Sequence, residues 1–367
     1  MDFKSLMRPH MKDISPYIPG KPIEEVRREL NITGEIIKLA SNENPHEPIP
    51  EVLEAIMEES KNINRYPNSG SHYLCHDVAD HLGTEPSRIF VGNGSNEILD
   101  LLVRGFVNPD EEVIIPYPSF IAYPLIIHLA GVKEIKVPLK KYRLDMKAMR
   151  ESVTDKTKMV FICNPNNPTA TYVTDEEVSE FLDGLRRDIL VVFDEAYYEY
   201  VTADDYPETM EMLKRMDNIV ILRTFSKIYS LSGLRVGYSI SHPDLVTCLH
   251  MVRQPFNVNR IAQAAARAAI KYSDRLESRI RENTDQLKLI SEKLRELGFC
   301  VPESQTNFIL AIPPEGMVRD LVGKLMARGV IVRGMSPFGL GSEAIRVTIG
   351  TPEENKKFLR ELNDIVS

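Results

Sequence analysis

The chain contains 367 residues, of which 43% are apolar and 27% charged, and its 45 basic and 53 acidic side chains give a net charge of -8. The length predicts two or three domains, and the composition argues against disordered and fibrous proteins. An acidic chain without a long basic run is not expected to bind nucleic acid, so small-molecule chemistry is the class left open.

The cysteines and the amino-terminal residues indicate where the protein works. Four cysteines stand far apart, without the paired spacing of a disulfide framework or a zinc site: Cys75, Cys163, Cys248 and Cys300. The amino terminus lacks an apolar run of signal-peptide length. The uncharged run at 113–132 contains prolines, which predict a strand, a turn and a buried helix rather than a membrane span. We therefore expect a cytoplasmic protein with no membrane partner.

From Arg88 to about His250, short β-branched runs alternate with helix-like segments. Runs that are apolar throughout, such as "KMVFIC" and "ILVVF", are typical of strands buried on both faces, which predicts a mostly parallel sheet covered by helices. Beyond residue 255 a long charged helical stretch at 261–297 precedes further short apolar runs. We predict an α/β large domain at 41–255 and a smaller α+β domain at 256–367, with residues 1–40 as an arm or as part of the small domain.

The residues that directly follow the predicted strands carry most of the chemical groups. Ligands of open α/β sheets bind beyond the carboxyl ends of the strands. The segments at four such ends are "GNGSNE", "NPNNPTA", "DEAYYEY" and "RTFSK". We expect these loops to meet at one edge of the sheet.

Lys227 ends the last of these segments. A lysine at the end of a buried strand is desolvated, which lowers its pKa and makes the nucleophilic amine accessible. Thr224, Ser226 and Arg235 lie near it in sequence and provide donors for a dianion. Taken alone, the pattern also fits a surface loop with a lysine whose charged end reaches solvent.

Two other loops contribute a carboxylate and free backbone amides. Asp194 ends an apolar strand, where a carboxylate must be paired or must cap a helix. Ser95 and Asn96 in "GNGSNE" begin a predicted helix whose free amides attract phosphate, although a plain helix cap explains this segment when it is taken alone.

Together the loops supply the groups that one cofactor needs. Tyr197, Asn167 and Phe120 add a phenol, an amide and an aromatic ring, although a turn also explains the asparagine and a core position the phenylalanine. Pyridoxal phosphate requires this set together with the amine, the carboxylate and the phosphate cradle. The carboxylate keeps the pyridine nitrogen protonated, so that the ring accepts the electrons left when a substrate Cα–H bond breaks, and the lysine moves the proton.

The motifs "NPNNPT", "DEAY" and "RTFSK" followed by "GLRVGY" resemble those of the fold-type I aminotransferases over almost the whole chain. Within that family, "LASNENP", "RYP", "RQPFNVN" and "IRVTIGT" are similar to the histidinol-phosphate aminotransferases. The resemblance implies that Lys227 carries pyridoxal phosphate and is the acid and base of the proton shift, while Asp194 pairs with the pyridine nitrogen. It also implies that Tyr197 and Asn167 bond the phenolic oxygen of the ring and that Phe120 stacks on it.

The resemblance also assigns the phosphate site, the subunit contact and the substrate site. The implied phosphate ligands are Ser95, Asn96, Thr224, Ser226 and Arg235. Tyr66, in "RYP", is implied to reach the cofactor phosphate of a neighbouring subunit, which makes the active unit a homodimer with shared sites. Arg333 and Arg346 are implied to bind the substrates, with Tyr17 closing the site, since arginine recognises carboxylate and phosphate bidentately. The structural alternative for each arginine is a surface salt bridge.

The implied reaction is a transamination of histidine biosynthesis that couples histidinol phosphate and imidazole-acetol phosphate to 2-oxoglutarate and glutamate. Transamination of aromatic amino acids and decarboxylation of phosphothreonine remain open, because enzymes of this fold use the same lysine and aspartate for all three. A metal-binding or regulatory protein is a further alternative, suggested by His72, Cys75, His76 and His81. An apolar stripe at the same helical spacing turns these histidines toward solvent, so no metal is expected.

One position departs from the family pattern. The sequence reads "NPTA" where the family has "NPTG". Ala170 is therefore expected to carry about 1 kcal/mol of strain if its φ angle is positive. Asn167, in the same turn, matches the family.

Overall fold

The computed structural model describes residues 1–12, 14 and 20–366. Within them the strands are β1 (Ile37–Leu39), β2 (Ile89–Gly92), β3 (Glu112–Tyr117), β4 (Lys133–Pro138), β5 (Thr157–Cys163), β6 (Leu190–Asp194), β7 (Ile219–Thr224), β8 (Gly237–Ile240), β9 (Phe308–Ala311), β10 (Val330–Gly334) and β11 (Ile345–Thr348). The α-helices of the same residues are α1 (Ile23–Leu30), α2 (Pro50–Ser60), α3 (His72–Leu82), α4 (Ser95–Phe106), α5 (Ala122–Ala130), α6 (Met146–Glu151), α7 (Asp175–Leu182), α8 (Thr209–Leu213), α9 (Pro243–Val252), α10 (Arg260–Lys271), α11 (Glu277–Glu296), α12 (Leu321–Ala327) and α13 (Pro352–Val366).

The large sheet has the strand order β2-β8-β7-β6-β5-β3-β4, and β8 alone among these strands runs antiparallel to its neighbours. This confirms the predicted mostly parallel sheet. Asp194 at the end of β6 pairs with Cys163 on β5 and with Leu222 on β7. The carboxyl ends of these central strands therefore meet at one edge, as predicted.

Both faces of the large sheet are covered, because its central strands are apolar throughout. From Met159 to Cys163 every residue of β5 is at most 2% exposed. Side chains of α4, α5 and α9 pack on one face, and those of α2, α3, α6, α7 and α10 pack on the other. The uncharged run at 113–132 forms most of β3 and all of α5, as predicted. No helix in the described part of the chain is long and apolar enough to cross a membrane.

The small sheet has the order β1-β10-β11-β9, in which β1 is parallel to β10 and the other pairs are antiparallel. Side chains of α11, α12 and α13 fill its core. Since β1 comes from the first forty residues, the chain crosses from the small sheet to the large one just after β1. The predicted smaller α+β part of the chain is confirmed, while the exact domain boundaries stay a prediction.

The predicted single helical stretch at 261–297 is wrong in one respect, because it consists of α10 and α11 with a break between them. Helix α10 packs on α2 and α3 beneath the large sheet, whereas α11 packs on β9 and α13 of the small one. Leu276, at the break, is 5% exposed and enters the core of the large sheet. Because of this break, two helices from one charged segment pack against two different sheets.

Candidate active site

A cavity of about 280 Å³ lies at the carboxyl edge of the large sheet, between this sheet and the small one. The predicted site residues that line it are Ser95, Asn96, Phe120, Asn167, Asp194, Tyr197, Thr224, Ser226, Lys227, Arg235, Arg333 and Arg346. Tyr17 lies outside the described residues. Tyr66 does not line the cavity; it is 78% exposed and stacks on Phe256, with the ring centroids 4.5 Å apart.

One end of the cavity is a cradle of backbone amides and cationic or hydroxyl side chains. Helix α4 begins there, after Gly94, without a side-chain cap, so its first amides are free to bind an anion. A Cβ atom at Gly94 would lie 2.7 Å from Nη2 of Arg235. The Arg235 guanidinium donates from Nη1 to Ser226 Oγ at 3.3 Å and to the Ser232 carbonyl at 2.9 Å. The glycine thus lets the helix start approach the guanidinium, and the cradle suits a phosphate.

Asp194 presents a carboxylate oxygen that no described group satisfies. The side chain is 3% exposed, and its Oδ2 accepts a hydrogen bond of 2.7 Å from the Tyr123 hydroxyl. Its Oδ1 is buried and has no hydrogen-bond partner in the described part of the chain. Burial raises the pKa of this carboxyl to about 6, and the Tyr123 hydrogen bond opposes that rise. A buried, half-satisfied carboxylate on a cavity wall fits the cationic ring nitrogen of pyridoxal phosphate.

Lys227 brings a desolvated amine to the same cavity. Its Nζ donates to the Asn42 carbonyl at 3.3 Å and lies 5.4 Å from the centroid of the Tyr197 ring. Burial, together with the positive charge of Arg346, lowers the pKa of the ammonium to about 8. The neutral amine is therefore accessible near physiological pH, as the sequence predicts. The alternative, a surface loop in which the lysine reaches solvent, does not describe Lys227.

A hydrogen-bonded chain links the phenol to the substrate side of the cavity. The Tyr197 oxygen accepts from Asn42 Nδ2 at 2.9 Å and from Asn167 Nδ2 at 3.3 Å. Asn167 Oδ1 in turn accepts from Arg346 Nη1 at 2.6 Å. Burial raises the pKa of the Tyr197 phenol above its usual value, so the phenol is neutral and retains its proton.

The two predicted substrate arginines stand opposite each other on neighbouring strands. Arg333 on β10 and Arg346 on β11 are register partners, and both line the cavity. Arg346 is 8% exposed, donates from Nη2 to the Ala40 carbonyl at 2.8 Å and lies over the Phe308 ring. Arg346 is therefore a buried cavity residue rather than a member of a surface salt bridge.

Sequence reasoning missed two residues that contact the predicted site. Asn42 bonds Tyr197 and Lys227, and its signal was the motif "LASNENP", to which no role was assigned. Tyr123 bonds Asp194, and nothing in the sequence around it indicated that contact. It lies three residues after Phe120, in the first turn of α5, from where its hydroxyl reaches the end of β6.

The histidine-rich segment and Ala170 also have clear positions. His72, His76 and His81 are exposed on α3, as predicted from the apolar stripe. Among the described residues no group of three or more His, Cys, Asp or Glu side chains is placed to hold a metal ion. Ala170 has φ 66°, which meets the condition under which strain is expected in this turn.

Comparison with known proteins identifies the family. Residues 34–362 match the model of the family Aminotransferase class I and II. The chain is 42% identical over 359 residues to the histidinol-phosphate aminotransferase of Desulfotalea psychrophila, covering 97% of this chain and 94% of that protein. It is 40% identical over 360 residues to histidinol-phosphate aminotransferase 2 of Hydrogenovibrio crunogenus, covering 98% and 96% respectively.

A solved structure agrees with this relationship. The crystal structure of histidinol-phosphate aminotransferase from Sinorhizobium meliloti in complex with pyridoxal-5'-phosphate matches with a TM-score of 0.89 at 27% sequence identity. The match covers 99% of this chain and 98% of that one. The predicted α/β fold is thereby confirmed, and the chain belongs to the aminotransferase class I and II family.

Proposed function

We propose that the protein is a pyridoxal-phosphate-dependent transaminase that interconverts histidinol phosphate and imidazole-acetol phosphate, with 2-oxoglutarate and glutamate as the second substrate pair. The full-length relatives at about 40% identity support the substrate. The observation that carries the chemistry is that the desolvated Lys227 amine and the unsatisfied Oδ1 of Asp194 line the same cavity. The reaction belongs to histidine biosynthesis.

The cavity residues fit the cofactor group by group. Asp194 would pair with the pyridine nitrogen, and Tyr197 and Asn167 would bond the phenolic oxygen. Phe120 would lie against the ring. The cradle residues would bind the phosphate, namely Ser95, Asn96, Thr224, Ser226 and Arg235. When bound, pyridoxal phosphate supplies an electron sink for the pair of electrons released at the substrate Cα.

The side chains of the protein would perform the remaining work. Because burial lowers its pKa to about 8, part of Lys227 is a neutral amine near physiological pH, which would accept the proton from the substrate Cα; the ammonium would then return it on the other side of the nitrogen, which completes a 1,3-shift. Tyr197 and Asn167 would keep the ring in one orientation while the proton moves.

The arginine pair supports one pocket for two different substrates. A transaminase binds its amino donor and its second substrate in turn at the same place. Arg333 and Arg346 offer planar donors that match the carboxylate of glutamate as well as the phosphate of histidinol phosphate. Tyr17 is proposed to close this pocket from the amino-terminal side.

We also propose a cytoplasmic homodimer in which Tyr66 reaches the cofactor phosphate of the other subunit. The exposed position of Tyr66 supports this, because an exposed ring outside its own cavity is free to enter a neighbouring one. The exposed apolar side chains of Ile63, Tyr73 and Met251 lie on the same two chain segments as Tyr66 and its stacking partner Phe256. Exposed apolar side chains on these segments favour burial against a second copy of the chain. The cysteines are free thiols, which suits a reducing compartment.

Spectroscopy of the purified enzyme tests the substrate. Histidinol phosphate is added to the pyridoxal-phosphate form, and conversion of its visible absorption band to the pyridoxamine band is recorded. We expect rapid conversion with histidinol phosphate and with glutamate, and slower conversion with phenylalanine. Faster conversion with phenylalanine would favour the aromatic alternative. Release of an amine from phosphothreonine without any keto acid would favour the decarboxylase.

Co-expression of two inactive variants tests the shared site. Lys227→Ala and Tyr66→Ala each damage both sites of their own dimers, but a hybrid dimer has one site with both residues intact. Random pairing of two-fold symmetric dimers is expected to restore roughly a quarter of the wild-type sites. Activity no higher than the sum of the two variants expressed separately would contradict the shared site.

A further inference from the structure

Asn42 lies where the chain passes from the small sheet to the large one. It is 1% exposed, and its φ of 55° lies in the left-handed region, which asparagine adopts more readily than most residues. Its hydrogen bonds reach residues that follow β6 and β7 of the large sheet and a residue of β11 in the small sheet. Asn42 thus joins the two sheets at the cavity.

The hydroxyl of Thr348 fixes which way the Asn42 carboxamide points. Thr348 Oγ1 accepts from the Asn42 backbone N–H at 2.9 Å and donates to Asn42 Oδ1 at 3.3 Å. With Oδ1 held by this donor, Nδ2 faces Tyr197 and donates to the phenol oxygen at 2.9 Å. The orientation of the amide follows from this network.

The Tyr197 oxygen therefore receives two hydrogen bonds, one from Asn42 and one from Asn167, at 2.9 and 3.3 Å. The Asn167 amide is fixed in turn, because its Oδ1 accepts from Arg346. A hydroxyl oxygen accepts at most two hydrogen bonds and donates one. With both acceptor sites used, the Tyr197 hydrogen is directed into the cavity, which the phenol lines.

The backbone of Asn42 acts on the second reactive group. Its carbonyl accepts from Lys227 Nζ at 3.3 Å and from Asn307 Nδ2 at 3.1 Å. The Asn307 amide keeps the carbonyl turned toward the lysine. One residue thus contacts both the amine and the phenol of the proposed site.

We propose that Asn42 is a positioning residue, which makes Tyr197 a hydrogen-bond donor toward the cavity and holds the Lys227 amine beside it. The inference rests on the proposed roles of Tyr197 and Lys227 at the cofactor, and not on the identity of the amino-acid substrate. A hydrogen bond from Tyr197 to the phenolic oxygen of the cofactor stabilises negative charge on that oxygen. This hydrogen bond therefore lowers the pH midpoint at which the visible band of the bound cofactor titrates, compared with an enzyme that lacks the bond.

Two substitutions of Asn42 separate its side chain from its backbone. Asn42→Gly removes the carboxamide, keeps the carbonyl and tolerates the positive φ. Asn42→Asp keeps the shape but replaces the donor by an acceptor, so the Tyr197 hydrogen turns to the new carboxylate and away from the cavity. We expect the spectroscopic midpoint of the cofactor-loaded enzyme to rise by about one pH unit in Asn42→Gly, the scale of one lost hydrogen bond, and by more in Asn42→Asp.

Lys357→Met is the matched control. Lys357, on α13, forms an ion pair of 3.7 Å with Glu35, which lies just before β1, and neither side chain lines the cavity. Its loss disturbs the chain that leads into the Asn42 segment without removing a hydrogen bond to Tyr197 or from Lys227. The midpoint of Lys357→Met is expected to equal that of the wild type, and a shift as large as that of Asn42→Gly would overturn the proposal.

An unchanged midpoint in both Asn42 variants would also overturn it. Should neither variant fold, Thr348→Val removes only the hydroxyl that orients the carboxamide, and a smaller rise of the midpoint is expected; no rise would count against the proposal. The titration needs the cofactor alone. A wild-type enzyme that titrates but does not react with histidinol phosphate would refute the substrate assignment and leave this test intact.

Discussion

The cavity wall formed by β5, β6 and β7 differs from the wall formed by β10, β11 and the segment at 40–43 in how the chain builds it. On the first wall, reactive groups follow directly after adjacent buried strands, so neighbouring strand ends bring them together. Asp194 and Lys227 are 33 positions apart in sequence, yet each lies at or just after the end of a strand of the same sheet. On the second wall, Asn42 and Arg346 come from opposite ends of the chain and meet through the small sheet.

The two walls also hold different chemistry. In the proposed function the first wall carries the amine and the carboxylate, which together with the adjoining phosphate cradle act on the cofactor. The second carries the arginine pair, which is proposed to bind anionic groups of the substrate. Changes in the first wall should therefore affect cofactor chemistry and kcat, whereas changes in the arginine pair should affect KM.

The largest effect is expected from Lys227→Ala. It removes the amine that is proposed to attach the cofactor and to move the proton, so turnover should fall by about a thousand-fold or more, the scale of a lost general acid and base. The cofactor should still bind, without covalent attachment, through Asp194 and the cradle. Absorption spectra and steady-state rates measure both effects. Lys214→Ala, at a surface position, is the control, and wild-type turnover in Lys227→Ala would refute the mechanism.

Asp194→Asn should lower turnover by about a hundred-fold, since it replaces the buried charge by a neutral group of the same shape. It also tests a pH dependence. The Asp194 carboxyl has a pKa raised by burial to about 6, so it is charged above that pH and becomes neutral below it. Cofactor affinity of the wild type should therefore fall as the pH drops through about 6.

The cofactor phosphate titrates in the same range, so the difference between the wild-type and Asp194→Asn affinity curves isolates the carboxylate. Dissociation constants measured by fluorescence at several pH values give both curves. Parallel curves would show that Asp194 does not pair with the ring nitrogen. Asp188→Asn, at an exposed position, should behave as the wild type.

Arg346→Lys probes the second wall. The substitution keeps the charge but loses the planar donors that reach Asn167 and the Ala40 carbonyl. Each charge-assisted hydrogen bond contributes about 1.5–3 kcal/mol, so KM for both substrates should rise about ten- to hundred-fold with a smaller change in kcat. Arg281→Lys, on the exposed face of α11, is the control. A fall in kcat with unchanged KM would break the division between the walls.

The first wall could be predicted from the sequence in physical terms, because a polar residue directly after a buried strand marks a sheet edge. That argument placed Asp194 and Lys227 at the sheet edge, while their roles followed from the whole set of groups and from the family resemblance. Arg333 and Arg346 needed the family resemblance, since their local sequences resemble those of ordinary strand residues. Asn42 and Tyr123 were missed because their contacts join segments far apart in sequence, and such contacts leave no periodic or compositional signal.

Ala170→Gly should have the smallest effect, because opposing terms nearly cancel. Relief of the left-handed conformation, φ 66°, favours glycine by about 1–2 kcal/mol. Against this, glycine loses the buried methyl group, which contributes about 0.8 kcal/mol, and its unfolded chain has more conformational freedom, which costs about 0.4–1 kcal/mol. The free energy of unfolding should thus change by less than about 1 kcal/mol, as measured by urea denaturation. A larger stabilisation would mean that the turn holding Asn167 stores more strain than its φ angle implies, and kcat of the variant would then report whether that strain serves the site.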